Sequence, residues 1–180
     1  MMGTPLKTVK EAAHRIIDRL TERDRISIIA FDHKAEVLVP NQLATDLDSI
    51  KRRIDGLRAG GGTCIDDGLK AGISQLAEGK DDRVSQLLLL TDGENEHGDN
   101  ERALKLANVA VGYNLTINTL GFGDHWNQDV LEQISDEGGG SLNYIEHAEE
   151  AIGPGQSGPF NQLAQQKIDH PADDQRNDEQ

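Results

Sequence analysis

The chain has 180 residues, with 32 Asp and Glu against 18 Lys and Arg and a formal net charge of −14 at pH 7. That length suits one domain with a sizeable core plus a tail, and the charge opposes attachment to nucleic acid or an anionic membrane, both of which reward clustered Lys and Arg. A lone cysteine, Cys64, excludes an internal disulfide framework; with no apolar run near the roughly 20 residues that span a bilayer and no apolar signal segment, a soluble, cytoplasmic product is expected unless a targeting segment precedes Met1.

Thr4-Pro5 sets a capping hydroxyl ahead of a proline at the first helical position, where the missing N–H removes nothing the helix uses. Leu6, Val9, Ala13, Ile16, Ile17 and Leu20 then recur at helical spacing. Two short runs, 26–31 and 35–39, joined by Asp32-His33-Lys34, predict an antiparallel hairpin that ends before Pro40. Thr45 and Asp48 have capping-box spacing, with Asp where Glu or Gln is preferred, at the head of a second helix carrying Leu47, Ile50, Ile54 and Leu57. Gly60-Gly61-Gly62 separates it from a third helix with Ile65, Leu69, Ile73 and Leu76. The unbroken Leu87-Leu88-Leu89-Leu90 predicts a strand buried on both faces, and it ends in Thr91-Asp92-Gly93. A fourth helix follows from about Asn100 to Val111, then a strand from Leu115 to Leu120 and a turn at Gly121-Phe122-Gly123-Asp124. A fifth helix holds Val130, Leu131 and Ile134, and Gly138-Gly139-Gly140 leads into a last strand, Ser141 to Ile145. This alternation argues for a mainly parallel α/β sheet covered on both faces, interrupted only by the first hairpin. Residues 153–180 form a Gly-, Pro-, Gln- and Asp-rich tail with a short helix expected over 160–168 and a disordered end.

In open α/β sheets, ligands bind beyond the carboxyl ends of the strands. Asp92 directly follows the most apolar run of the chain, and Thr63 lies between a glycine run and a helix, so both side chains are expected at that edge. A hydroxyl and a carboxylate from separate loops form a hard-oxygen pair suited to Mg²⁺ or Mn²⁺. Read plainly, Thr63 is a helix cap and Asp92 a turn residue before glycine. Other motifs fail on their own terms. Gly121-Phe122-Gly123 is followed by Trp126 where a dinucleotide fingerprint needs glycine, and Gly60 to Thr63 lacks the lysine of a phosphate loop. His97 stands where a calcium loop beginning at Asp92 requires glycine. Asp66 and Asp67 complement the dipole of their helix, Cys64 packs inertly beside Thr63, and the six histidines show no zinc spacing. Glu94, Asn95, Glu96, His125 and Trp126 are expected to form a partner-binding rim.

Taken together, the order helix, hairpin, helix, Gly60-Gly61-Gly62-Thr63, helix, apolar strand, Thr91-Asp92-Gly93 resembles the von Willebrand factor type A (vWA) family. Gly121-Phe122-Gly123-Asp124 and Gly138-Gly139-Gly140-Ser141 are similar to it as well, and the resemblance covers residues 1–152. It implies a Rossmann-like three-layer sandwich that acts in protein–protein recognition and is not an enzyme. It also implies a metal-ion-dependent adhesion site for Mg²⁺ or Mn²⁺, in which Thr63 is the threonine of the second metal loop and Asp92 the aspartate of the third. The shell would be completed by an acidic group from a protein partner. The family's first loop, Asp-x-Ser-x-Ser, would fall at or before Met1, and with it the first central strand. The expectation is therefore that the strands holding Ile28 and Leu88 either close up and pair directly with each other or leave a gap between exposed edges, filled by residues encoded upstream or by a strand supplied in trans, with self-association as the risk. Two retained ligands leave most of an octahedral shell to water, so metal affinity should be weak. Two other readings compete: a metal-assisted hydrolase or phosphotransferase using Asp92, which lacks a nucleophile and base pair, and a structural remnant without a site.

Overall fold

A computed structural model describes residues 4–77, 84–123 and 126–145. The expected tail with its helix at 160–168, and His125 of the expected rim, lie outside the described residues. The elements, in chain order, are α1 (Thr4–Ile17), β1 (Arg25–Phe31), β2 (Ala35–Leu43), α2 (Leu47–Asp55), α3 (Ile65–Ala77), β3 (Ser85–Thr91), α4 (Asn100–Val111), β4 (Leu115–Phe122), α5 (Gln128–Glu137) and β5 (Leu142–Ile145). No helix among the described residues is long and apolar enough to cross a membrane.

The strands form two separate sheets. β1 and β2 pair antiparallel, and β3, β4 and β5 pair in parallel in that order. α3 lies against both pieces and fixes their relative direction. Phe31, at the end of β1, is so close to Gly68 that a Cβ there would come within 2.9 Å of its ring. Near the start of β1, Arg25 Nε donates to Asn41 at 2.8 Å, and Asn41 is in turn bonded to Gln75 near the end of α3. Leu87 of β3 lies against Gly72, and Gly93, just past the end of β3, touches Thr63 just ahead of α3. β1 and β3 thus both run opposite to α3 and parallel to each other. They do not pair: a cleft of about 1150 Å³ lies between them, lined by β1, β3, α1 and α3.

Burial follows from this gap. The α3–α4–α5 face has one continuous core, in which Ile65, Leu69, Ile117, Leu131 and Ile134 pack with Ala103, Ala107 and Ala110, whose small side chains bring α4 close. The α1 face has two cores. Ala12, Leu120 and Phe122 gather Val9, Leu88 and Leu90, whereas Ile17, Val39, Ile50 and Ile54 gather Ala13, Ile26 and Ile28. Among the described residues, α1 alone contributes to both. β4, flanked on both edges, is buried almost throughout, but of Leu87 to Leu90 only Leu89 is fully buried. The expectation that this leucine run is buried on both faces therefore fails at three of its four positions, because one edge of β3 faces the cleft.

Three element boundaries also differ from expectation, each for a local reason. β2 continues through Pro40 to Leu43, because the register slips between Ile26 and Ile28 and a residue without an N–H is tolerated at such an irregularity. The cap of α2 is Asp46, whose carboxylate accepts from Ser49 N at 2.9 Å; it stands directly before the first helical residue, and Thr45 is one position too early. Gly121 and Phe122 belong to β4 and not to a turn, since Gly121 pairs with Thr91 on one side and Tyr144 on the other.

Candidate functional site

Two loops at the carboxyl edge fold onto each other: 60–64, which leads into α3, and 92–99, which joins β3 to α4. Gly62 has φ of 76°, a conformation that favours glycine, and its missing side chain makes room for the His97 ring. His97 N donates to Thr63 O at 3.0 Å, and Ile65 N donates to Asn95 Oδ1 at 2.7 Å. These two bonds clasp the loops together. As a result Gly93 approaches the Thr63 hydroxyl so closely that a Cβ at Gly93 would lie 2.9 Å from Oγ1. Thr63 and Asp92 are thus neighbours through Gly93, both half-buried and both at the mouth of the cleft. Thr91 beneath them is buried and accepts from Gly93 N at 3.3 Å, which holds the turn.

A third oxygen-bearing residue lines the same mouth. Asp32 follows the last residue of β1, accepts from Lys34 N at 3.1 Å and lies 3.0 Å from His33 Nδ1, with Gly60 packed against its side chain. Read as part of a hairpin connection, Asp32 was not expected at the site. The signal that finds it is the one that singled out Asp92: an acidic side chain immediately after an apolar strand.

The expected rim is divided. Glu94 and Glu96 are exposed, whereas Asn95 is half-buried with its amide engaged inside the loop, accepting from Ile65 N and donating to Asn100 Oδ1 at 2.8 Å. Trp126 lies over Gly121 at the same sheet edge, donates its indole N–H to Gly123 O at 2.9 Å and stacks on Tyr144 with ring centroids 5.8 Å apart.

Cys64, Asp66 and Asp67 also bring their ligand atoms within 4.8 Å of one another. That cluster already contains a cation. Asp66 is 2% exposed and receives Arg102 Nη1 at 2.8 Å, Asp99 N at 3.1 Å and the Cys64 thiol at 3.3 Å; Asp67 lies 3.4 Å from Arg102 Nη2. The guanidinium neutralises the buried carboxylate and ties α3 to α4. Burial pushes the Cys64 thiol above its usual range, and the adjacent Asp66 carboxylate acts in the same direction, so at neutral pH it keeps its proton and is a poor nucleophile.

A parallel three-stranded sheet beside an antiparallel hairpin, packed with helices and carrying a hydroxyl- and carboxylate-bearing loop pair at its carboxyl edge, defines an α/β domain. A scan against protein-family models matches the von Willebrand factor type A domain over residues 1–154, and the chain belongs to that family. It is 59% identical over 152 residues to an uncharacterized protein of Synechocystis sp., a match that covers 84% of this chain and 36% of the relative. The chain thus spans about a third of that relative's length. Among solved structures, a von Willebrand factor type A protein from Catenulispora acidiphila superposes with a TM-score of 0.72 at 24% identity, covering 79% of this chain and 34% of the other. A manganese-loaded TRAP protein of Plasmodium vivax superposes with a TM-score of 0.66 at 18% identity, covering 82% and 63%. At these identities the two structures establish a shared fold.

Proposed function

We propose that this chain is a protein-recognition module whose Thr63 hydroxyl and Asp92 carboxylate form part of a seat for Mg²⁺ or Mn²⁺. The exposed Glu94 and Glu96, with Trp126, form the rim around it. The observation that supports the reading is the close approach of Gly93, the residue after Asp92, to Thr63 Oγ1, with Thr63 and Asp92 both lining the mouth of the cleft. The vWA family is one of protein-interaction modules with metal sites, and the Plasmodium neighbour was solved loaded with manganese. The donors here suit such an ion in kind, being hard oxygens, and fall short of it in number, since octahedral Mg²⁺ needs six. A bound divalent ion supplies a Lewis-acidic position for an oxygen of the partner, most effectively a carboxylate. Asp92 would carry most of the charge that holds the ion, with Thr63 orienting it and the clasp between the loops keeping the two together.

Manganese titration followed by amide NMR tests this assignment. Paramagnetic broadening is expected to centre on Thr63 and Gly93, with weak affinity of about millimolar order, and to disappear in Asp92→Ala while the rest of the spectrum keeps its dispersion. Broadening centred on Asp66 and Asp67, or unchanged by Asp92→Ala, would place the ion elsewhere and remove the reading.

A further inference from the structure

We infer that Asn95 is a positioning residue for the loop pair: its side-chain amide, fixed between α3 and α4, sets Gly93, and with it Asp92, against Thr63. The inference rests on the proposed cation seat for its effect on the ion, whereas the placement of the loops is read without metal. Gly93 and Thr63 approach each other where the two loops meet. Two residues beyond each of them, Ile65 N donates to Asn95 Oδ1 at 2.7 Å. The Ile65 amide opens α3 and is one of the N–H groups that a helix cannot satisfy from within itself. Asn95 satisfies it from a loop thirty residues away in sequence.

The same amide donates through Nδ2 to Asn100 Oδ1 at 2.8 Å, at the first residue of α4. One planar group thus joins the first residues of two helices, a task that needs a donor and an acceptor on one short side chain. Two further bonds hold the loop, from His97 N to Thr63 O at 3.0 Å and from Asp99 N to Asp66 Oδ1 at 3.1 Å. Both lie later in the chain, so of these anchors Asn95 is the nearest to Asp92 and Gly93. Gly98 lets the backbone close over the junction, where a side chain would run into Asn95 Oδ1 and Asp66 Oδ1. Glu94 and Glu96 on either side are exposed, and Asn95 between them is half-buried. Asn95 therefore differs in task from its two neighbours: they offer charge to a partner, and it holds the loop that carries them. Removing a group that orients metal ligands typically costs about 10–100-fold in metal affinity, and Asn95 stands in that relation to Thr63 and Asp92.

Amide NMR of the metal-free chain tests the placement, with Asn95→Ala, Asn95→Asp and the double variant Glu94→Ala with Glu96→Ala compared with the parent. Asn95→Ala is expected to speed exchange of the Ile65 amide by about tenfold or more and to move the Gly93 and Thr63 resonances, while the amides of β3 and β4 keep their protection. Asn95→Asp retains an acceptor for the Ile65 amide and is expected to restore slow exchange. The double variant removes two carboxylates and neither bond, and is expected to leave that exchange unchanged. Unmoved Gly93 and Thr63 resonances in Asn95→Ala overturn the inference, as does equal acceleration in Asn95→Asp or a loss of protection along β3 and β4. Titration with Mn²⁺ is the second arm: broadening at Thr63 and Gly93 is expected to need at least about tenfold more ion in Asn95→Ala than in the parent, and an unchanged requirement overturns the link to the ion. A parent chain without such broadening removes the cation seat instead, and the metal-free spectra still decide the role of Asn95.

Discussion

Arg102→Ala is expected to lower stability by about 3 kcal/mol, read as a shift in the urea midpoint. The mutation leaves Asp66, which is 2% exposed, with the Asp99 amide and the Cys64 thiol as its remaining partners in place of a guanidinium at 2.8 Å. Breaking a buried ion pair by removing one partner costs about 3–5 kcal/mol because it strands a charge. Arg102 is 45% exposed, which lets water reach part of the gap and sets the expectation at the lower end. Adding Asp66→Asn to Arg102→Ala removes the stranded charge and should recover a substantial part of the loss. Equal stability of single and double variants would show that packing, and not charge, holds this junction. The site should feel the change as well: Asp66 binds the Asp99 amide at the end of the loop that sets Gly93 against Thr63.

Gly140→Ala should be of similar size, about 3 kcal/mol. A Cβ at Gly140 would lie 2.0 Å from the carbonyl oxygen of Ile117 and 2.7 Å from its carbon. Those atoms belong to β4, which is paired on both edges and buried, so the obstacle is backbone that has nowhere to move. The turn cannot retreat either, because Gly140 N donates to Ser135 O at 2.8 Å and Ser141 N to Asn118 Oδ1 at 3.1 Å. Gly61→Ala is the matched control. Nothing lies within 4 Å of its added methyl, and the change should stay within about 0.5 kcal/mol. Thermal unfolding of the two variants side by side would check the contrast, and a comparable loss in both would show that glycine flexibility and not the Ile117 backbone matters.

Element type was legible along the described chain because local chemistry and packing agree there. The 3.6-residue spacing of Leu6 to Ile17 produces α1, and the alternation of strands with helices produces the parallel β3–β4–β5 sheet. What remained hidden depends on neighbours that a local pattern does not name. Leu87 to Leu90 has the composition of a central strand, yet its burial is set by whether a chain lies against its second edge. Gly121 reads as a turn residue until its pairing with Thr91 and Tyr144 is known. Asn95 reads as a surface amide, although it bonds the first helical amide of α3 thirty residues earlier. At the proposed site, Thr63 and Asp92 stand out in the sequence because each ends a recognisable boundary, glycine run to helix and apolar strand to loop. Asp32 ends a boundary of the same kind and was obscured by the short hairpin that contains it.

We propose that Thr63 and Asp92 form part of a cation seat at the mouth of the cleft between β1 and β3. Calorimetric titration with Mg²⁺ tests it most directly, comparing the chain as it stands with one carrying an apolar strand that ends in Asp-x-Ser-x-Ser joined ahead of Met1. Weak, unsaturated binding is predicted for the first, and saturable binding that is lost in Thr63→Ala and Asp92→Ala for the second. Equal binding by both chains, or binding by the longer one that survives Asp92→Ala, would contradict the account.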